Sequence, residues 1–183
     1  FQTNQSDFKA ILTNIKSANP DIIFAPSSIT TAPLILKQAR EMGITAVIAA
    51  GDTWENATII ENAGADAEGA VLSTFFDEAA PANDEAASFI KGFKEYLVSI
   101  GEPDIIPAVS ALGYDAYLCL LQAIKDADST DPAAVRDALE NVSVTGVTGD
   151  ITFNETGDAN KSLAFIKTIK DGQFQFLTTT TLE

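Results

Sequence analysis

Two runs decide the fold: Asp21-Ile22-Ile23-Phe24-Ala25, and then Thr45-Ala46-Val47-Ile48-Ala49-Ala50-Gly51-Asp52-Thr53-Trp54. Each begins with a short apolar stretch of strand composition and ends in turn residues, which reads as a strand buried in a sheet. Between them Thr30 or Thr31 can cap a helix, Pro33 falls in its first turn, Lys37 and Arg40 lie in its later half, and Gly43 follows as a C-terminal cap. On the N-terminal side, Ser6 and Asp7 can cap a helix whose Phe8, Ile11, Leu12 and Ile15 form one stripe, and Asn19-Pro20 stops it. On the other side, a helix from about Asn56 to Ala63 leads to a third apolar run at 68–76. Strands apolar along their whole length are expected to be buried on both faces. The fold class is therefore α/β, a Rossmann-like parallel sheet with helices on both sides and right-handed crossovers.

The second half changes character. A polar, small-residue segment at 77–84 precedes three helical patterns, at 85–100, 107–127 and 132–140. The first carries Phe89, Phe93, Tyr96 and Leu97 on one stripe, and the third is capped by Asp131 with Pro132 at its first position. The middle one is almost apolar all round, so it is expected to pack on two sides. Strand-like segments follow at 149–153, 162–169 and 173–179, the last two joined by the hairpin signal Lys170-Asp171-Gly172.

Composition removes whole classes of function. The 183 residues are 46% hydrophobic, enough for a real core, and 26 acidic against 11 basic residues give a net charge of −15. Such a surface repels phosphate backbones and anionic headgroups, so nucleic-acid and polybasic membrane roles are excluded. With no histidine there is no Ser-His or Cys-His catalysis and no His-ligated metal, and the one cysteine, Cys119, sits in an apolar run as a small buried hydrophobe. No stretch has the roughly 20 apolar residues of a membrane helix. The first eight residues carry no signal-peptide pattern and the only methionine is Met42, so the chain reads as an internal start, a processed product or a fragment.

Ligands of open parallel sheets bind beyond the carboxyl ends of the strands. Here those ends deliver Ser27, Ser28 and Thr30 after the first strand, Asp52 and Trp54 after the second, and Phe76 and Asp77 after the third. Asp52 beside Trp54 suits a cationic ammonium, with cation–π attraction of about 0.5–2 kcal/mol. Asp at that spot commonly caps the helix that starts near Trp54, and the two roles are compatible, since one oxygen can cap while the other faces a ligand. The serines and threonines serve as turn residues or as hydrogen-bonding groups for a ligand, and Trp54 as core or pocket wall. No phosphate-cradling glycine loop, no Gly-x-Ser-x-Gly and no convincing carboxylate pair is present, so neither an enzyme nor a cofactor is indicated.

Several strings together resemble the branched-chain amino acid type of ABC-transporter substrate-binding protein. They are Ser6-Asp7-Phe8, Asn19-Pro20-Asp21, the run Ala32-Pro33-Leu34 through Arg40 with Gly43, and Gly51-Asp52-Thr53-Trp54. Later strings agree: Ala67-Glu68-Gly69, Gly113-Tyr114-Asp115-Ala116, Asp131-Pro132 with Val135 to Leu139, and Thr148-Gly149-Asp150 with Gly157-Asp158. The resemblance runs in order along essentially the whole chain and corresponds to the C-terminal half of such a protein.

It implies the two-lobed type 1 periplasmic binding protein fold, with ligand held between lobes that close on it. Residues 1–78 would be the remainder of the second lobe, 79–142 helices belonging to the first lobe, and 143–183 strands returning across the hinge. Asp52 falls where the family places the acid that takes the ligand's α-ammonium, and Ser28 stands where members often carry an aromatic. Ser27, Ser28 and Thr30 would add hydrogen bonds, and Trp54 and Phe76 would wall the cleft. The function implied is an extracytoplasmic solute-binding component, periplasmic or a cell-surface lipoprotein, that delivers an amino acid to the membrane permease of an ABC importer without cofactor or chemistry. The alternative is a ligand-sensing module of a receptor or regulator with the same fold. A lone half-protein is expected to expose apolar surface and to form homo-oligomers or associate with the missing N-terminal half.

Overall fold

A computed structural model describes residues 5–181, which divide into two compact units: residues 5–74 with 165–178, and residues 75–164 with 179–181. The first unit opens with α1 (Lys9–Ala18), β1 (Ile22–Phe24), α2 (Ala32–Glu41), β2 (Val47–Ala50), α3 (Ala57–Ala63) and β3 (Val71–Thr74). Several local signals act where the sequence puts them, although neither Thr30 nor Thr31 caps α2 with its side chain. Asn19 closes α1 in the left-handed region, Pro33 lies in the first turn of α2, and Gly43 follows α2 with φ +73°. Asn56 caps α3 by accepting the Thr58 N–H at 2.9 Å.

β1, β2 and β3 pair in parallel, with Ile23 opposite Ile48 and Ala50 opposite Leu72. The sheet is completed by two later strands, β7 (Leu163–Lys170) and β8 (Gln173–Thr181), in the order β1-β2-β3-β7-β8. β7 runs antiparallel to β3, with Leu72 opposite Lys167 and Thr74 opposite Phe165. Its turn to β8 puts Asp171 and Gly172 in the left-handed region, as the hairpin signal requires. The Glu68 carboxylate accepts both of their backbone N–H groups, at 3.0 and 2.7 Å.

One expectation is corrected here. The core of this unit gathers Leu12, Leu36 and Ile59 from the helices with Ile23, Ile48, Leu72 and Ile169 from the strands, on one face of the sheet. On the other face Ile22, Phe24 and Val47 remain exposed, Phe24 by 69%. The first two strands are apolar on both faces but covered on one, because all three helices join the same cluster.

The second unit contains α4 (Asp84–Ser99), α5 (Ala108–Ala127), α6 (Pro132–Leu139) and a small antiparallel sheet of β4 (Val144–Gly146), β5 (Gly149–Phe153) and β6 (Ala159–Asn160). Asn83 caps α4, and Asp131 caps α6 by accepting from Ala133 and Ala134. The all-apolar reading of α5 is also corrected. Ala108, Ala111, Asp115, Cys119 and Ala123 form its buried stripe, while Val109, Tyr117 and Leu120 are exposed. A helix apolar all round is packed here on one side.

Asp115 is the polar centre of this unit. It is 2% exposed, and its carboxylate accepts from the backbone N–H groups of Val147 and Thr148 at 2.7 and 2.8 Å and from the Thr148 hydroxyl. Lys161 donates to the same hydroxyl oxygen. Burial lowers the Lys161 pKa from its ordinary value, against the opposing pull of Asp115. Gly146 is required at this junction, since a Cβ there would fall 2.3 Å from an Asp115 oxygen. Among the described residues, no helix is long and apolar enough to cross a membrane.

Candidate functional site

The candidate site is built at the carboxyl ends of β1 and β2. β1 ends at Phe24 and releases the chain into Ala25-Pro26-Ser27-Ser28-Ile29-Thr30, mostly exposed or half-buried. β2 ends at Ala50, and extended Gly51 leads into a 3-10 turn over Asp52–Trp54. The two loops are laced together. The Trp54 indole N–H donates to the Ser27 hydroxyl and the Thr53 hydroxyl to the Ser27 carbonyl, both at 3.2 Å. The Ser28 hydroxyl lies 3.0 Å from that of Thr30 and 2.8 Å from that of Thr31. The Ser28 carbonyl, not a side chain, takes the Thr31 and Ala32 N–H groups that open α2.

Asp52 is the distinctive group. It is half-buried, begins the 3-10 turn, and gives its side chain to no cap. The capping role belongs to Asn56 at α3. Among the described residues, no hydrogen-bond donor or cation engages the Asp52 carboxylate. A carboxylate held at a strand end without a protein donor keeps its full acceptor capacity for a cation or an N–H group from outside.

Two of the anticipated contacts are core residues instead. Trp54 is 0% exposed and belongs to the core of the first unit; only its N–H is spent on the loop, through Ser27. Phe76 is 1% exposed and packs in the second unit, edge-on to Phe89 with ring centres 6.1 Å apart. Large aromatic rings at the ends of short strands gain more by filling the core than by lining an opening.

Two residues that the sequence does not single out, Glu55 and Lys167, complete the neighbourhood together with Thr74 at the end of β3. Glu55 follows the 3-10 turn and donates its N–H to the Asp52 carbonyl at 2.9 Å. Its carboxylate is paired with the Lys167 ammonium at 2.5 Å and accepts the Thr74 hydroxyl at 2.7 Å. Side-chain exposures of 6% for Lys167 and 9% for Glu55 make this a buried ion pair. The available signal was a lysine at a core-facing position in the apolar strand Leu163–Lys170, since a buried ammonium demands a carboxylate.

Comparison with known proteins fits this geometry. Residues 1–173 match the family described as periplasmic binding protein. Leu/Ile/Val-binding protein homolog 1 of Brucella abortus is 31% identical over 156 residues, which are 84% of this chain and 40% of that protein. The leucine-, isoleucine-, valine-, threonine-, and alanine-binding protein of Pseudomonas aeruginosa is 27% identical over 83% of this chain and 39% of its own length. Among solved structures, the leucine-binding protein LivK of Thermotoga maritima superposes with a TM-score of 0.87 at 33% identity, covering 99% of this chain and 50% of that one. The branched-chain amino acid substrate-binding protein LivJ of Streptococcus pneumoniae, in complex with isoleucine, shares the fold with a TM-score of 0.79 at 24% identity. The chain thus spans about half the length of the relatives it matches. These relatives are solute-binding proteins rather than enzymes. The chain belongs to the periplasmic binding protein family and, within it, is related to the branched-chain amino acid binding proteins.

Proposed function

We propose that this chain is the C-terminal half of an extracytoplasmic solute-binding protein that captures a branched-chain or other aliphatic amino acid and presents it to the membrane permease of an ABC importer. The observation that carries the reading is the Asp52 carboxylate, which follows β2 and has no donor among the described residues. It takes the ligand's α-ammonium by charge-assisted hydrogen bonds. Ser27, Ser28 and Thr30 supply hydroxyls around it, and Trp54 supports them from behind through its bond to Ser27. Binding needs no proton transfer and no cofactor.

The test is calorimetry on the full-length protein with L-leucine, L-isoleucine and L-valine. Asp52→Asn lowers affinity for the bound amino acid by about tenfold or more, the measure of a hydrogen bond to a charged group. Unchanged affinity for all three overturns the role of Asp52.

The same reading covers the behaviour of the isolated chain. Ile22, Phe24 and Val47 in one unit, and Val109, Tyr117 and Leu120 in the other, support self-association of the 183-residue chain. Light scattering then gives a mass above one copy; a clean monomer overturns this.

A further inference from the structure

The acid that would meet the ligand stands three residues from an acid that cannot. Asp52 and Glu55 bracket one 3-10 turn and are joined through its backbone, the Glu55 N–H donating to the Asp52 carbonyl. Glu55 turns inward. Its two oxygens are divided between Lys167 on β7 and Thr74 at the end of β3. Leu72 and Thr74 alternate onto the core face of β3, and Lys167 lies opposite Leu72, so Lys167 and Thr74 share that face. The 3-10 turn is therefore tied to two other strands of the sheet by a buried, charge-assisted clasp.

Resting on the proposed role of Asp52, we infer that the Glu55–Lys167 pair, with Thr74, is a positioning device that holds the Asp52 carboxylate at the site. A turn this short has few backbone hydrogen bonds of its own, so its placement comes from what its ends are fastened to. Losing the Lys167 ammonium also leaves the Glu55 carboxylate buried with its charge uncompensated, and that carboxylate relaxes toward water. Glu55 carries Asp52 with it, because the two are linked by the turn's hydrogen bond. The pair also neutralises Glu55, which leaves Asp52 as the acid of this turn with an uncompensated charge.

A double-mutant cycle in the full-length protein tests this, read by calorimetry with L-leucine, L-isoleucine and L-valine. Lys167→Met and Glu55→Gln change the local charge in opposite directions, yet each lowers affinity, by about tenfold, as expected for coupled neighbours. In an Asp52→Asn background the same two substitutions change affinity by less than about twofold. Lys167→Arg, which keeps the pair, retains binding. Effects of opposite sign identify simple long-range electrostatics and overturn the inference. Equal losses with and without the Asp52 carboxylate identify general structural damage and overturn it too.

Where the charged variants fail to fold, Thr74→Val removes one donor to Glu55 without stranding a charge. It must then lower affinity with Asp52 present and not with Asn in its place; any other pattern overturns the inference. Failure of the parent reading looks different, since Asp52→Asn is then itself without effect.

Discussion

Two aspartates in two regions of this chain, Asp52 beyond β2 and Asp115 on α5, show how differently the same side chain is used. Asp115 is almost fully buried and receives two backbone N–H groups and a hydroxyl from the turn between β4 and β5. Asp52 is half-buried and receives no donor among the described residues. The donors around a carboxylate, rather than its presence in a motif, separate a fastening from an open acceptor. Both lie in strings that resemble the same family, Gly113-Tyr114-Asp115-Ala116 and Gly51-Asp52-Thr53-Trp54, so resemblance alone does not distinguish the two uses.

Removing the fastening is the strongest way to sharpen this contrast. Asp115→Ala strips the Val147 and Thr148 N–H groups of their acceptor in a dry site, at about 1–3 kcal/mol for each, and denaturant unfolding shows the loss. Crowding the same junction costs less. Gly146→Ala drives a Cβ against the Asp115 carboxylate and lowers stability by about 1–3 kcal/mol in the same assay.

The neighbouring thiol reports the state of the junction without a stability measurement. Cys119 lies one turn from Asp115, and burial, followed by the Asp115 charge, pushes its pKa above the ordinary value. Iodoacetamide at about pH 8.5, where a free thiol is half ionised, leaves the folded protein largely unlabelled and labels it fully in denaturant. Asp115→Ala shortens the labelling time as the junction opens, which mass spectrometry follows. The smallest effect is expected at the other aspartate. Asp52→Asn shifts unfolding by no more than about 0.5 kcal/mol, since it breaks no bond among the described residues. A large destabilisation there would break the comparison and make Asp52 structural as well.

Much of the fold was legible in the sequence because its signals are local. Pro20, Pro33, Gly43, Asp131 and the pair Asp171-Gly172 each act within a few residues of where they stand, and they bound the helices and the hairpin correctly. Burial was less legible. Ile22, Phe24, Val109 and Tyr117 have core composition but are exposed, because coverage depends on what packs against a surface and not on the surface itself. At the candidate site, the position of Asp52 just past a strand could be read from spacing. Its freedom from donors could not, and neither could the Glu55–Lys167 pair, whose partners are 112 residues apart. The burial of the Trp54 and Phe76 rings was not legible for a related reason: a ring at a strand end has two directions to point, and the packing chooses.

The contact between Glu68 and the β7–β8 turn has a consequence for alignment along the sheet. Side chains on a strand alternate between faces, so sliding β7 by a single residue against β3 would carry Lys167 to the outer face and bring Ile166 or Thr168 to the core side. By gripping the tip of the hairpin at two successive amides, an acid just ahead of β3 sets the phase of the strand that returns a hundred positions later. The surface turn is in this sense the index mark from which the buried ammonium takes its address.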